Sequence, residues 1–136
     1  MVDVNRETAR RYVEEAFMQN RDFEKYIAKE YIRHNHGKTE PGIQNLKDIC
    51  TRYHESFTDW KLTIHDIICE QNKAVVHFTI MLTHSQPYRG FEPSGARIEA
   101  HGIDIFRIAD GKIVEQWAEV DLYHLINQVK EHSGAC

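Results

Sequence analysis

No apolar run in the 136-residue chain approaches the ~20 residues that a membrane-spanning helix requires, and the opening segment MVDVNRETARR lacks the apolar stretch of a secretory leader. These absences predict a soluble, cytoplasmic protein with no membrane partner. Positive charge is not in excess either. The net charge is -4 with acidic and basic residues mixed along the chain, which leaves no basic stripe for a phosphate backbone and predicts no nucleic-acid partner. Cysteine is scarce: Cys50, Cys69 and Cys136 form no C-x-x-C pair, and their odd number argues against a disulfide framework. All three are expected as thiols, Cys50 packed on a helix stripe and Cys136 exposed. G-x-S-x-G, G-x-x-x-x-G-K-[ST], G-x-G-x-x-G, H-E-x-x-H and an EF-hand loop are missing as well, which removes the commonest nucleophile-elbow, nucleotide and metal motifs. Nine histidines include His34 and His36 as H-x-H, with His84, His101 or His124 as distant partners, but that spacing is not specific for a metal. The site is read as metal: none, and no cofactor is expected.

What is present fits one domain over residues 1–136, long enough to bury roughly 68% of the surface its unfolded chain exposes. Ala9, Tyr12, Val13, Ala16 and Phe17 recur at the spacing of an amphipathic helix. Phe23, Tyr26 and Ile27 suggest a short second helix before Tyr31, and Leu46, Ile49, Cys50, Tyr53 and Phe57 a third that starts near Gly42. From Trp60 the period changes to two, in WKLTIHDII, KAVVHFTIML, RIEAHGIDIFRI and KIVEQWAEV, which predicts four antiparallel strands. Ala109-Asp110-Gly111 is the hairpin turn between the last two, and Ser85–Gly95, with two prolines and two glycines, is a projecting loop able to cover a cavity. Leu122, Leu125, Ile126 and Val129 close the chain as a helix, with Asp121 at the cap position. The predicted class is α+β, N-terminal helices packed on a curved antiparallel sheet of about four long strands, with a C-terminal helix.

The sequence IDIFRI sets Asp104 among aliphatic and aromatic neighbours, where an unpaired carboxylate is costly. Strand alternation assigns Asp104, Phe106 and Ile108 to one face and Ile103, Ile105 and Arg107 to the other. Without a bulge the hairpin puts Trp117 on the Asp104 face, lining a small-molecule pocket. The opposite face then carries Ile103, Ile105, Val114, Ala118, Val120 and Met81. That face is too apolar for water, and a homodimer packed sheet to sheet would cover it.

A carboxylate in an apolar cavity has its charged form disfavoured, so its pKa rises toward the range of a general base, and Asp104 is the leading candidate. The plainer alternative is a carboxylate that only braces the core through a hydrogen bond. His34 follows the predicted second helix, where a turn of the chain across the open sheet end would aim it inward to orient Asp104 or relay its proton. A merely solvated histidine is its alternative. Trp117 is either an aromatic pocket wall or core filler, Asp121 either a helix cap or a pocket residue, and His36 and His101 are weaker pocket candidates.

His34-Asn35 after Tyr31, the Thr83-His84 strand end, the loop Gly90-Phe91-Glu92-Pro93-Ser94-Gly95 and the run GIDIFRIADGKIVEQWAEVD before a closing helix resemble the SnoaL-like polyketide cyclases. These belong to the nuclear-transport-factor-two-like, or cystatin-like, α+β barrel superfamily. The resemblance covers nearly the whole chain and is most specific from Gly102 to Asp121. It implies a cone-shaped α+β barrel, dimeric, with a deep pocket and neither metal nor organic cofactor. It implies Asp104 as the base that removes an acidic C–H proton for an aldol closure. Asn35, Trp117, Phe106, Tyr31, His84, Phe91 and Asp121 become the substrate-binding candidates beside it. The usual Gly-Asp turn between the first two long strands is here Glu70-Gln71-Asn72-Lys73, and the final helix carries Asn127-Gln128-Val129, which fits a divergent member whose substrate need not be a polyketide.

The reading is a cofactor-independent cyclase or isomerase acting on a small hydrophobic carbonyl compound, with Asp104 and His34 as its catalytic pair. The rival is a non-catalytic dimeric binding module for a small apolar ligand, in which Asp104 is neutralised by a fixed partner such as Arg107 or a buried histidine. A protein-interaction domain with a self-filled pocket is a third possibility.

Overall fold

The computed structural model describes residues 2–35 and 37–132; His36 and Cys136 lie outside the described residues. Helix α1 (Val2–Arg11) runs into a π-helical stretch (Tyr12–Phe17), and the predicted stripe buries Ala9, Tyr12, Val13 and Ala16, with Phe17 half-buried. The expected second helix is only one 3-10 turn, Phe23–Lys25. At Ile27 the chain enters strand β1 (Ile27–Asn35), and β2 (Lys38–Pro41) pairs back against it. Helix α2 (Ile43–Ser56) follows Gly42 and buries Leu46 and Cys50. Four long strands then follow, β3 (Phe57–Glu70), β4 (Lys73–His84), β5 (Arg97–Ala109) and β6 (Lys112–Val120), before α3 (Leu122–His132).

The strands form one sheet in the order β2-β1-β6-β5-β4-β3. It has six strands instead of the expected four, and it is mixed, because β1 runs parallel to β6. β1 escaped the pattern because its inward side chains, Tyr31, Arg33 and Asn35, are polar or amphipathic, so its alternation does not read as apolar against polar. The inner face of β4 and β5 carries Val76, Phe78, Ile80, Leu82, Ile98, Phe106 and Ile108 into the core. Each such side chain stabilises the fold by roughly 1.5–3 kcal/mol when fully buried. One inner position admits no side chain: a Cβ on Gly102 would lie 2.4 Å from Cζ of Phe78.

Asp110 (φ 51°) and Gly111 (φ 76°) make the two-residue turn between β5 and β6. Just past it the register slips. Ile108 pairs with Ile113, but Arg107 pairs with Glu115, so Val114 is an extra residue in β6. A slip of one residue exchanges the faces of everything beyond it. Gln116, Ala118 and Val120 therefore point inward, and Glu115, Trp117 and Glu119 outward.

β6 ends opposite Gly102, which leaves the start of β5 with a free edge that α3 closes. The Asp121 amide donates to the carbonyl of His101 at 2.8 Å, and the Gln128 side chain accepts from the Glu99 amide at 2.9 Å and donates to its carbonyl at 2.8 Å. Among the described residues no helix is long and apolar enough to cross a membrane.

Candidate active site

The hollow of the sheet, facing α2 and the Ser85–Gly95 loop, encloses a cavity of about 630 Å³. Asp104, Gln116, Ala118 and Val120 line it from the two central strands, Arg33 and Asn35 from β1, and Phe78 from β4. Leu46 and Tyr53 of α2 and Pro87, Tyr88 and Arg89 of the loop complete much of the wall. Asn35 is fixed there by donating to the Ala118 carbonyl at 2.7 Å.

Asp104 is 8% exposed. Its Oδ2 accepts a hydrogen bond from Nε2 of Gln116 at 3.2 Å, whereas its buried Oδ1 has no partner. The Gln116 amide is itself oriented, because the Tyr31 hydroxyl donates to Gln116 Oε1. Burial raises the Asp104 carboxyl from its ordinary 3.8 to about 7; Arg33, the Gln116 amide and the Glu119 backbone amide pull the other way without cancelling it. A carboxyl at that value holds both protonation states in quantity at neutral pH, the condition for passing a proton in either direction.

Two more polar groups beside Asp104 lack partners. Arg33 is 8% exposed, its Nε is buried without a hydrogen bond, and it forms no ion pair among the described residues. The Tyr12 hydroxyl is buried and unpartnered, its ring edge-on to Phe106 at 5.5 Å, and burial pushes its pKa well up.

Of the residues singled out in the sequence, Asp104 and Asn35 line this cavity, and Tyr31 is buried behind it, tied to the site through Gln116. Phe106 is fully buried beneath it, on the Asp104 face as expected. Trp117 does not share that face. The extra residue Val114 sets Ala118, not Trp117, opposite Asp104, and the indole lies outside. His34 points outward too, because inward positions on β1 fall on Tyr31, Arg33 and Asn35. Its ring stacks on Trp117 at 5.2 Å, and Nε2 lies 2.7 Å from Glu115, which also accepts from Arg107 at 2.9 Å. The His34 hydrogen bond, reinforced by Arg107, holds the Glu115 carboxyl below its ordinary value. Arg107 is thus engaged on the outer face and does not neutralise Asp104.

His84 is fully buried against Phe57, away from the cavity lining, and burial lowers its pKa. Phe91 bridges to Tyr88 through the backbone, and it is Tyr88 that reaches the cavity. Asp121 caps α3, its Oδ1 accepting from the His124 amide at 3.0 Å. Ala118 and Val120, expected on the outer face, line the cavity instead. His101 sits outside with Glu99 and His124, whose ligand atoms lie within 4.8 Å of one another; among the described residues this is the group that could hold a metal ion, on the face opposite Asp104. Sequence reasoning missed Arg33, Gln116 and the Tyr12 hydroxyl. The signal for Arg33 was its i, i+2 spacing from Tyr31 and Asn35, readable once the segment is taken as a strand.

The fold is shared with solved structures. AclR of Streptomyces galilaeus superposes with a TM-score of 0.87 at 16% identity, covering 96% of this chain and 98% of its own. TsrD of Streptomyces laurentii gives 0.76 at 29% identity, covering 96% and 98%. An LEH-like epoxide hydrolase of M. tuberculosis gives 0.70 at 16% identity, covering 96% and 92%. Among curated proteins none matches the sequence. The family model described as SnoaL-like polyketide cyclase matches residues 7–129, nearly the whole chain, and the chain belongs to that family.

Proposed function

We propose that the protein is a cofactor-independent enzyme of the cyclase or isomerase kind, acting on a small, largely hydrophobic carbonyl compound, with Asp104 as its general base. The observation that carries this reading is Asp104 in the cavity wall, a buried carboxyl whose Oδ1 has no hydrogen bond. Ionised Asp104 takes a proton from the carbon next to a carbonyl. The C–H electron pair becomes the C=C bond of an enolate, and the carbonyl π pair moves to oxygen. The negative charge gathering there lies in a low-dielectric site that also contains the Arg33 guanidinium. In an isomerisation, protonated Asp104 returns the proton to a different carbon. In a cyclisation, the enolate carbon bonds to a second carbonyl of the same molecule, whose oxygen takes the proton. The engagement of Arg107 by Glu115, and the absence of a buried histidine on Asp104 among the described residues, count against a binding module with a pre-neutralised carboxylate.

The test is solvent deuterium exchange at C1 of 2-tetralone, followed by NMR in D2O. Wild-type protein should accelerate exchange over buffer, and Asp104→Asn should lose about 10²–10⁴-fold of that rate. Equal rates for the two proteins would exclude Asp104 as the base.

The same reading includes a homodimer through the outer sheet face. Ile103, 48% exposed, lies there with Met81, Ile105 and Trp117, an apolar surface smaller than expected because Ala118 and Val120 face inward. Sedimentation should show a dimer that Ile103→Asp converts to monomer; a wild-type monomer at micromolar concentration would contradict it.

A further inference from the structure

We propose that the substrate carries a carboxylate close to its reacting carbonyl, and that Arg33 is the seat of that carboxylate. The inference deepens the proposed function and rests on it for the identity of the site. Arg33 lies on the inward side of β1, nine-tenths buried, in the cavity wall that also holds Asp104. A buried guanidinium is costly unless an anion or several acceptors meet its N–H groups. Here Nε has no acceptor, and among the described residues no carboxylate forms an ion pair with it. Asp104 forms no ion pair with it either: its Oδ2 is held by Gln116, and the guanidinium only favours its ionised form. Glu40, opposite Arg33 on β2, lines the same cavity but forms no ion pair with it, so the guanidinium keeps hydrogen-bonding capacity for a ligand beside the base. A planar oxyanion from the ligand completes the arrangement, because the guanidinium fork matches a carboxylate with two parallel N–H bonds.

The remaining lining agrees. Lys38, Arg52 and Arg89 line the cavity with exposed side chains, so with Arg33 four basic residues face three acidic ones, Glu40, Glu55 and Asp104. The whole chain has the opposite balance, with 21 acidic and 17 basic residues. A cleft of this sign raises the local concentration of anions. The apolar wall of Phe78, Leu46, Ile49 and Tyr53 takes the rest of the molecule. A carboxylate on one edge of the guanidinium leaves the other N–H groups for the oxygen of the enolate. Removal of the C–H proton by Asp104 and binding of the anion are then separate functions of neighbouring residues.

The experiment is isothermal titration with 2-naphthoate and with 2-naphthamide, which share the ring and differ in charge. Wild-type protein should bind the carboxylate at least ten-fold more tightly than the amide. Arg33→Met should abolish that preference and keep the amide affinity, with circular dichroism as the check on folding. Arg33→Lys, which keeps the charge and loses the fork, should retain only part of it. Asp104→Asn should keep the preference or increase it, because a negative neighbour is removed. Equal affinity of wild type for the two compounds, no naphthoate binding at millimolar concentration, or a preference that survives Arg33→Met would each overturn the inference. Failure here with 2-tetralone exchange still dependent on Asp104 would leave the proposed function standing. A preference set by Arg33 without any Asp104-dependent exchange would remove the chemistry and keep the carboxylate site.

Discussion

Gln116 donates one amide hydrogen to Oδ2 of Asp104 at 3.2 Å and leaves the buried Oδ1 without a hydrogen bond. The pairing exists only because Val114 shifts the hairpin by one residue; without that bulge an indole would stand near the carboxylate and the amide would lie on the outside. One oxygen of Asp104 is thus a fixed point, and the other is buried with its hydrogen-bonding capacity unused.

Tyr31 should matter through Gln116. Its hydroxyl donates to Gln116 Oε1, so Tyr31→Phe leaves a buried acceptor unsatisfied and frees the amide to turn. We expect a loss of about 1–3 kcal/mol in chemical denaturation. Because the Gln116 bond favours ionised Asp104, the midpoint of the pH–exchange profile should move upward in this variant. An unchanged midpoint would mean that Gln116 keeps its orientation without the tyrosine.

Stability should fall as pH rises through the Asp104 titration. The folded state keeps the proton up to about 7, whereas the unfolded chain releases it near 3.8, so between these values the folded state binds more protons. The contribution is complete below about pH 4 and lost by about pH 7, at most roughly 4 kcal/mol. Urea melts at several pH values, wild type against Asp104→Asn, should show this slope in the wild type and its absence in the variant.

Gly102 should tolerate no side chain. A Cβ there meets the Phe78 ring at 2.4 Å, and Phe78 is part of the cavity wall. Gly102→Ala should cost about 1–3 kcal/mol through overpacking, and adding Phe78→Leu should recover much of it. Thermal melts of the single and double variants test the pair.

Trp117 should be dispensable for proton transfer. It packs on His34 outside the sheet, with Lys73 Nζ 5.3 Å from its ring centroid. Trp117→Leu should leave the 2-tetralone exchange rate unchanged while lowering stability by about 1 kcal/mol through the lost ring contact. A large loss of exchange would place the indole in the site after all.

Much of the fold was legible in the sequence because it is written in apolar periodicity: the N-terminal stripe from Ala9, the helix carrying Leu46 and Cys50, the long strands and the Asp110-Gly111 turn. The strand through Arg33 was not, because it points polar residues into a cavity. Asp104 stood out as a charge in an apolar strand, and its face follows from alternation with Phe106 and Ile108. Gln116 and Trp117 were exchanged for a different reason. A single bulge at Val114 leaves no mark in the apolar pattern, yet it reverses the faces of every later residue in β6. His34 failed as a pocket residue through the same logic, one position away from Arg33 on a strand that had been taken for a loop.

The central claim is that Asp104 is a carboxyl poised for proton transfer at neutral pH, and 13C NMR of the labelled aspartate carboxyl carbons, assigned with Asp104→Asn, measures it directly. One resonance should titrate near pH 7, disappear in the variant, and move to higher pH when 2-naphthoate binds beside it. A resonance for Asp104 that titrates near pH 4, as an ordinary aspartate does, would contradict the account.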